Sequence, residues 1–275
     1  MPQPPITDLL PSGETVLILR TCGPGGEAYG GFVWPLLVGA EVVAPDWDPE
    51  RSCGHGLHGL LWGEGGAEYL SDADSSVWMV LEAPADSVVD IDGKVKVPRC
   101  RIVHIGKRGD AVSYLLEHGG GDKAVCFARK QGGDHSTLTG GVGSTITGGA
   151  GSAITGGDGS TITGGDHSTL TGGYLATLTG GDHSTLTGGG GSTLTGGVGS
   201  TITGGVGSTI TGGVHSTITG GDGSTFTGGE GSTITFTWWD DSSARYRPRA
   251  AEVGEGGILP DVPYICRGGV IEVSP

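Results

Sequence analysis

Cysteine is sparse and solitary in this chain. Its five residues, Cys22, Cys53, Cys100, Cys126 and Cys266, make an odd set without paired spacing, which rules out a disulfide-stapled scaffold. Basic residues are few as well: 15 Lys and Arg stand against 30 Asp and Glu, a formal net charge of -15. A field of that sign repels phosphate, so nucleic acid and anionic membranes are not the expected partners. No apolar run approaches the roughly 18 residues of a membrane span. The opening MPQPPITDLLPSG has neither a basic nor an apolar stretch of the signal-peptide kind, so the expectation is a soluble, cytoplasmic protein. GPGGEAYGG lacks both the G-x-G-x-x-G spacing and the GK[ST] ending of a phosphate loop. No catalytic constellation emerges, and the chain reads as non-enzymatic, without cofactor. Only 35% of it is hydrophobic while 59 residues are glycine, which speaks against one conventional core.

What is present is a repeat. An octad of the form Gly-Gly-x-x-Ser-Thr-x-Thr begins at Gly132 and recurs to Gly228, closing at Thr235. Position seven is Leu, Ile or Phe throughout, from Leu138 to Ile234. Side chains alternate along a strand, so position seven and the serine at position five face inward, and the threonines at six and eight face outward. The paired glycines suit a corner of positive φ. Eight residues cannot enclose a core, so a turn holds two octads or three. His135, His167, His183 and His215 all fall at position four of odd-numbered octads, which favours two. The fold class expected is therefore mainly β: a two-sided parallel β-solenoid of sixteen-residue turns, about six and a half of them, stabilised by stacking and by inward serines bonding along a ladder.

Three regions follow. Residues 1–131 hold TVLILR, VWMVLEA and CRIVHIG between turns and read as a β-rich N-terminal domain with one helix near Asp110 to His118. Residues 132–235 are the solenoid. Residues 236–275 form a small C-terminal cap; TITFTWWDD runs into it from the last octad, and its Ile234, Phe236 and Trp238 continue the inward alternation and lid the core.

The octads resemble the repeats of bacterial ice-nucleation proteins, whose sixteen-residue unit is likewise two octads with Ser-Thr-x-Thr and glycine corners. GGFVWPLLVGAEV and CGHGLHGLLWG are similar to an uncharacterised N-terminal domain that accompanies such repeats in bacterial and phage proteins, and VGEGGILPDVPY to their C-terminal segment. The resemblance implies a β-solenoid. Nucleators carry many more turns and a tyrosine row at position three, where this chain has only Tyr174, a departure that points away from efficient nucleation.

The outward threonines are the candidate site. Even octads give six unbroken rungs, Thr145/Thr147, Thr161/Thr163, Thr177/Thr179, Thr193/Thr195, Thr209/Thr211 and Thr225/Thr227, whereas Ala153 interrupts the odd face. Spacings of about 6.7 Å along a strand and about 4.8 Å between strands make a flat lattice of hydroxyls and methyls. Ice or ordered water is the expected partner; the alternative is a structural or interaction module whose terminal domain binds an unknown protein, the threonines serving only as soluble β-formers. Asp134-His135, Asp166-His167 and Asp182-His183 lie at one corner, but adjacent residues point apart and a solvated turn pair is favoured over metal. Calcium repeats place Asp elsewhere. Cys53, His55 and His58, preceded by Asp46 and Asp48, read as a glycine-rich turn with partly buried histidines rather than a metal or nucleophile site.

Overall fold

The computed structural model describes residues 13–274. Residues 1–12, which carry most of the opening segment considered above, lie outside that range. The chain divides into two compact units after Phe127.

In the first unit, β-branched and aromatic runs make β1 (Thr15–Cys22), β2 (Glu41–Val43), β3 (Leu57–Leu61), β4 (Val77–Pro84), β5 (Val89–Asp90), β6 (Val95–Val97) and β7 (Arg99–Gly106). They form one antiparallel sheet in the order β2-β7-β4-β1-β3-β6-β5. One face packs Ile18, Met79, Leu81, Val97 and Ile102 with Trp34. An α-helix, α1 (Arg108–Leu115), covers the other face through Ala111, Val112 and Leu115. It starts where the Asp110 carboxylate accepts the Lys107 N–H at 3.3 Å and ends in a wide π turn at Leu116–Gly120, in which Gly119 takes φ 111°. The helix thus begins two residues before the expected span, because Asp110 closes the first turn instead of opening it.

The second unit is the solenoid. One face is built from Arg129–Gln131, Thr145–Thr147, Thr161–Thr163, Thr177–Thr179, Thr193–Gly196, Thr209–Gly212 and Thr225–Gly228, all parallel. The other runs from Thr137–Thr139 to Thr233–Asp240 in the same manner. Each strand pairs with the one sixteen residues away, in register. Arg129–Gln131, just before the octads, supplies a rung of its own, so the coil has about seven turns rather than six and a half.

Between the faces runs a file of fully buried Ile and Leu, from Ile146 to Ile234. Its C-terminal end is closed by Phe226 and Phe236, edge to face at 4.5 Å, with Val253, Tyr264 and Cys266 buried against them. Trp238 packs on this cluster half-buried. Antiparallel strands then finish both faces: Arg245–Glu252 pairs Thr233–Asp240, and Tyr264–Arg267 pairs Thr225–Gly228. At the hairpin turn, the hydroxyls of Ser242 and Ser243 and the guanidinium of Arg247 hold the Asp240 carboxyl well below the usual carboxylate range.

Two details of the repeat differ from expectation. Positive φ falls at position four, where His135, His167, His183, His215 and Leu175 adopt φ between 54° and 58° alongside glycines such as Gly207. The invariant glycines at positions one and two have another cause. A Cβ on Gly140, at position one, would stand 2.6 Å from Ser144 Oγ and 2.8 Å from Ile146 Cδ1; on Gly157, at position two, it would stand 2.7 Å from the backbone nitrogen of Val142, one turn earlier. Close approach excludes a side chain there. The serines also bond differently. Ser168 Oγ donates to Gly165 O at 2.6 Å and Ser224 Oγ to Gly205 O at 3.0 Å, so the inward hydroxyls satisfy corner carbonyls. Bonds along the ladder occur as well: Ser136 and Ser152 join hydroxyl to hydroxyl at 3.1 Å, and the N–H groups of Ser184, Ser208 and Ser216 donate to the hydroxyls of Ser200, Ser224 and Ser232.

Ser160 is the exception in its column: its buried hydroxyl has no partner, and the next residue in that column is Ala176. Ser160→Ala therefore leaves urea stability unchanged or raises it by up to about 1 kcal/mol, whereas Ser224→Ala lowers it by about 1 kcal/mol. Equal losses in the two variants would show that Ser160 is satisfied after all.

Candidate functional site

The even-octad threonines stand on one face because the strand register is unbroken. Thr145 pairs Thr161, which pairs Thr177, then Thr193, Thr209 and Thr225; Thr147 heads the companion row through Thr163, Thr179, Thr195, Thr211 and Thr227. From Thr145 to Thr209 the first row is exposed, and the second is exposed to Thr195. Thr211 is half-buried, as are Thr225 and Thr227. Ile265 pairs with Thr225, and cross-strand partners share a face, so the cap brings an aliphatic side chain beside the last rung. The array usable by an external partner therefore centres on Thr161 to Thr195. On the other face Ala153 pairs Thr137 and Thr169, leaving one hydroxyl missing near its start.

Rigidity comes from below. On this face each exposed Thr pair brackets a fully buried Ile or Leu, and the residue before it, serine or in one octad Ala176, is buried too. Backbone N–H groups donate to the turn before, as Thr193 N does to Ala176 O at 2.9 Å. Flat spacing is thus fixed by backbone hydrogen bonds rather than by the threonines themselves.

At the corner, aspartate and histidine separate. Asp134 Oδ1 accepts the N–H of Ala150 at 2.9 Å, Asp166 that of Asp182 at 2.9 Å, and Asp182 that of Val198 at 2.8 Å. Each carboxylate ties one turn to the next. His167 and His183 stack at 5.3 Å with rings 10° apart. The two residue types do not converge on a point, and no cluster of three or more metal-ligating side chains exists among the described residues.

The CGHGLHG motif belongs to the first unit. His58 lies on β3 rather than in a turn, half-buried, while Cys53 and His55 are exposed. With residues of β1 and the Gly26 to Trp34 loop they line a cleft of about 890 Å³. Burial, then the charges of Lys94, Arg20 and Lys96, push the His58 imidazole down to about 4. In the unfolded chain it titrates near 6.5. As pH falls the unfolded state takes up this proton first, so stability is full above pH 6.5 and is lost between pH 6.5 and 4. Thermal melts should show that loss, and His58→Gln should flatten it; an unchanged slope in the variant would assign it to other groups. Arg20, on β1, is the residue that periodicity does not reveal, since an arginine inside an apolar strand reads as an outward side chain.

Comparison with known proteins bears on part of the chain. The Pantoea ananas ice nucleation protein InaU is 36% identical over 107 residues, 38% of this chain and 10% of that protein. Somewhat more than a third of this chain is thus similar to an ice nucleation protein. An Enterobacter agglomerans ice nucleation protein gives 36% identity over 107 residues, and one from Pseudomonas fluorescens 35% over 107, covering 8% and 9% of their lengths. This chain thus spans about a tenth or less of the curated relatives it matches. No family model matches, and no solved structure does. Fold and relatives together describe an ice-nucleation-like β-solenoid repeat protein. Among the described residues no helix is long and apolar enough to cross a membrane.

Proposed function

We propose that the solenoid binds ice or ordered water through its even-octad threonine face, without catalysis. The observation that carries this reading is the unbroken Thr-on-Thr register from Thr145/Thr147 to Thr209/Thr211. Spacings of about 6.7 and 4.8 Å approximate repeats in ice. Threonine methyls cage water while hydroxyls anchor it, and a surface already ordered loses little entropy on contact. The relatives named ice nucleation proteins support the same partner. About seven turns present a short lattice, so adsorption to existing crystals is the activity expected rather than nucleation. Ice-affinity partition and recrystallisation inhibition test it: the full chain enriches in the ice fraction and keeps grains small. Failure in both assays ends the proposal.

A second reading has its own observation. Val33, Leu36, Leu37 and Val38 are exposed at 60%, 41%, 67% and 57% in one short run of the first unit, the kind of apolar patch that marks a protein contact. In that reading the solenoid is a spacer and the first unit binds a protein partner. Leu37→Asp then abolishes capture of the partner and leaves ice partition untouched.

A further inference from the structure

The cleft in the first unit holds a half-buried cation without a counter-charge. Arg20 is half-buried by its surface, and desolvation lowers its pKa to about 10. One terminal nitrogen, Nη1, donates to the carbonyl of His58 at 2.7 Å, and the guanidinium carbon lies 4.5 Å over the ring of Trp34. Its Nε–H is buried with no acceptor. Among the described residues no carboxylate reaches ion-pair distance of it. The nearby thiols do not supply the charge: burial raises Cys22 and pushes Cys100 up to about 12. A desolvated guanidinium with vacant donors is costly in an empty protein and is the group that best recognises carboxylate or phosphate.

Its neighbours repeat the pattern. Trp34 is 2% exposed, yet its indole N–H has no acceptor, and His58 Nε2 is likewise buried and unpartnered. All three residues line the same cleft. At the rim, Lys94 sits 4.4 Å over the Tyr69 ring and donates to Cys53 Sγ at 3.3 Å. Asp46 also lines the cleft, but its Oδ1 accepts the N–H of Gly56 at 3.1 Å. Tyr29, Phe32 and Tyr69 add aromatic surface, and Tyr29 is fully exposed. Vacant donors around a cation call for an acceptor of negative charge, and aromatic walls call for a flat apolar body.

We propose that this cleft is a ligand site for a small anion carrying a planar ring, the anionic group meeting Arg20 and the Trp34 N–H and the ring lying against the aromatic side chains. A nucleoside monophosphate and an aromatic carboxylate share that chemistry. The inference is independent of the threonine face.

Calorimetric titration of the full chain with AMP, benzoate, adenosine and inorganic phosphate separates the contributions. AMP or benzoate binds at least about tenfold more tightly than adenosine or phosphate; AMP alone would mark a nucleotide site and benzoate alone a carboxylate site. Arg20→Met abolishes binding while circular dichroism stays native. Should that variant fail to fold, Lys94→Ala decides, because it alters only the rim: it weakens the ringed anion by at least about threefold. Absence of binding by both ringed anions into the millimolar range overturns the proposal, as does unchanged affinity in Lys94→Ala or in a folded Arg20→Met. Phosphate binding as tightly as AMP removes the ring from it.

Discussion

Gly205→Ala unfolds the solenoid at ambient temperature or lowers its melting point by well over ten degrees, while Gly207→Ala, two residues away, is nearly silent. Both replace glycine by the smallest side chain in the same octad. At Gly205 a Cβ would lie 2.6 Å from Gly190 N and 2.8 Å from Gly189 C, backbone atoms of the preceding turn. Those atoms are held by the hydrogen bonds of their own turn and cannot retreat without opening the stack, so a cost of about 3 kcal/mol or more is expected. At Gly207 φ is 68° and no atom lies within 4 Å of the added carbon. There the cost is that of a left-handed L-residue, about 1–2 kcal/mol, partly offset by about 0.4–1 kcal/mol from restricting the unfolded chain. His135, His167, His183 and Leu175 already occupy the equivalent position. Circular dichroism melts of both variants check the contrast. Equal destabilisation would mean that positive φ, not the approach of successive turns, is what glycine serves here.

Under the proposed function, Thr193→Lys removes ice affinity without touching the fold. Thr193 lies inside the exposed array, between Thr177 and Thr209. Lysine places a strongly hydrated, mobile head where a methyl and a hydroxyl stood in rank. Ice partition should fall by at least about tenfold, a loss of about 1.4 kcal/mol in adsorption. The melting point stays within a few degrees, because an exposed outward substitution changes stability by about 0.5 kcal/mol or less. Thr185→Lys, on the face that Ala153 interrupts, is the control and keeps the activity. If the two lysines act alike, the faces are not distinct; if Thr193→Lys binds ice as the parent does, the even face is not the site.

The sequence made the solenoid legible because an eight-residue period leaves few alternatives. Ile, Leu or Phe at position seven of each octad and serine at position five of all but one show what faces the axis, and the parity of His135, His167, His183 and His215 favours two octads per turn. Distances across turns were not legible. Glycine at positions one and two looked like a demand for positive φ, since a one-dimensional pattern shows neither the Ser144 side chain nor the Val142 backbone that would meet a Cβ. The extra rung Arg129–Gln131 carries no repeat signature and is visible only through its pairing with Thr145–Thr147. In the first unit, the strands TVLILR and VWMVLEA could be read locally. The cleft could not: Arg20 and His58 are brought together by β1 lying beside β3, and nothing local announces that a cation inside TVLILR lacks an anion.

The in-register pairing at a sixteen-residue interval has a consequence for how such a chain changes over generations. Because each turn touches only the turn before and the turn after, duplicating one octad pair in the middle adds a storey of about 4.8 Å and leaves the C-terminal closure as it was. Losing a pair subtracts one just as cleanly, so the height of the solenoid is free to drift by copying errors in its own nearly identical segments while its roof is kept.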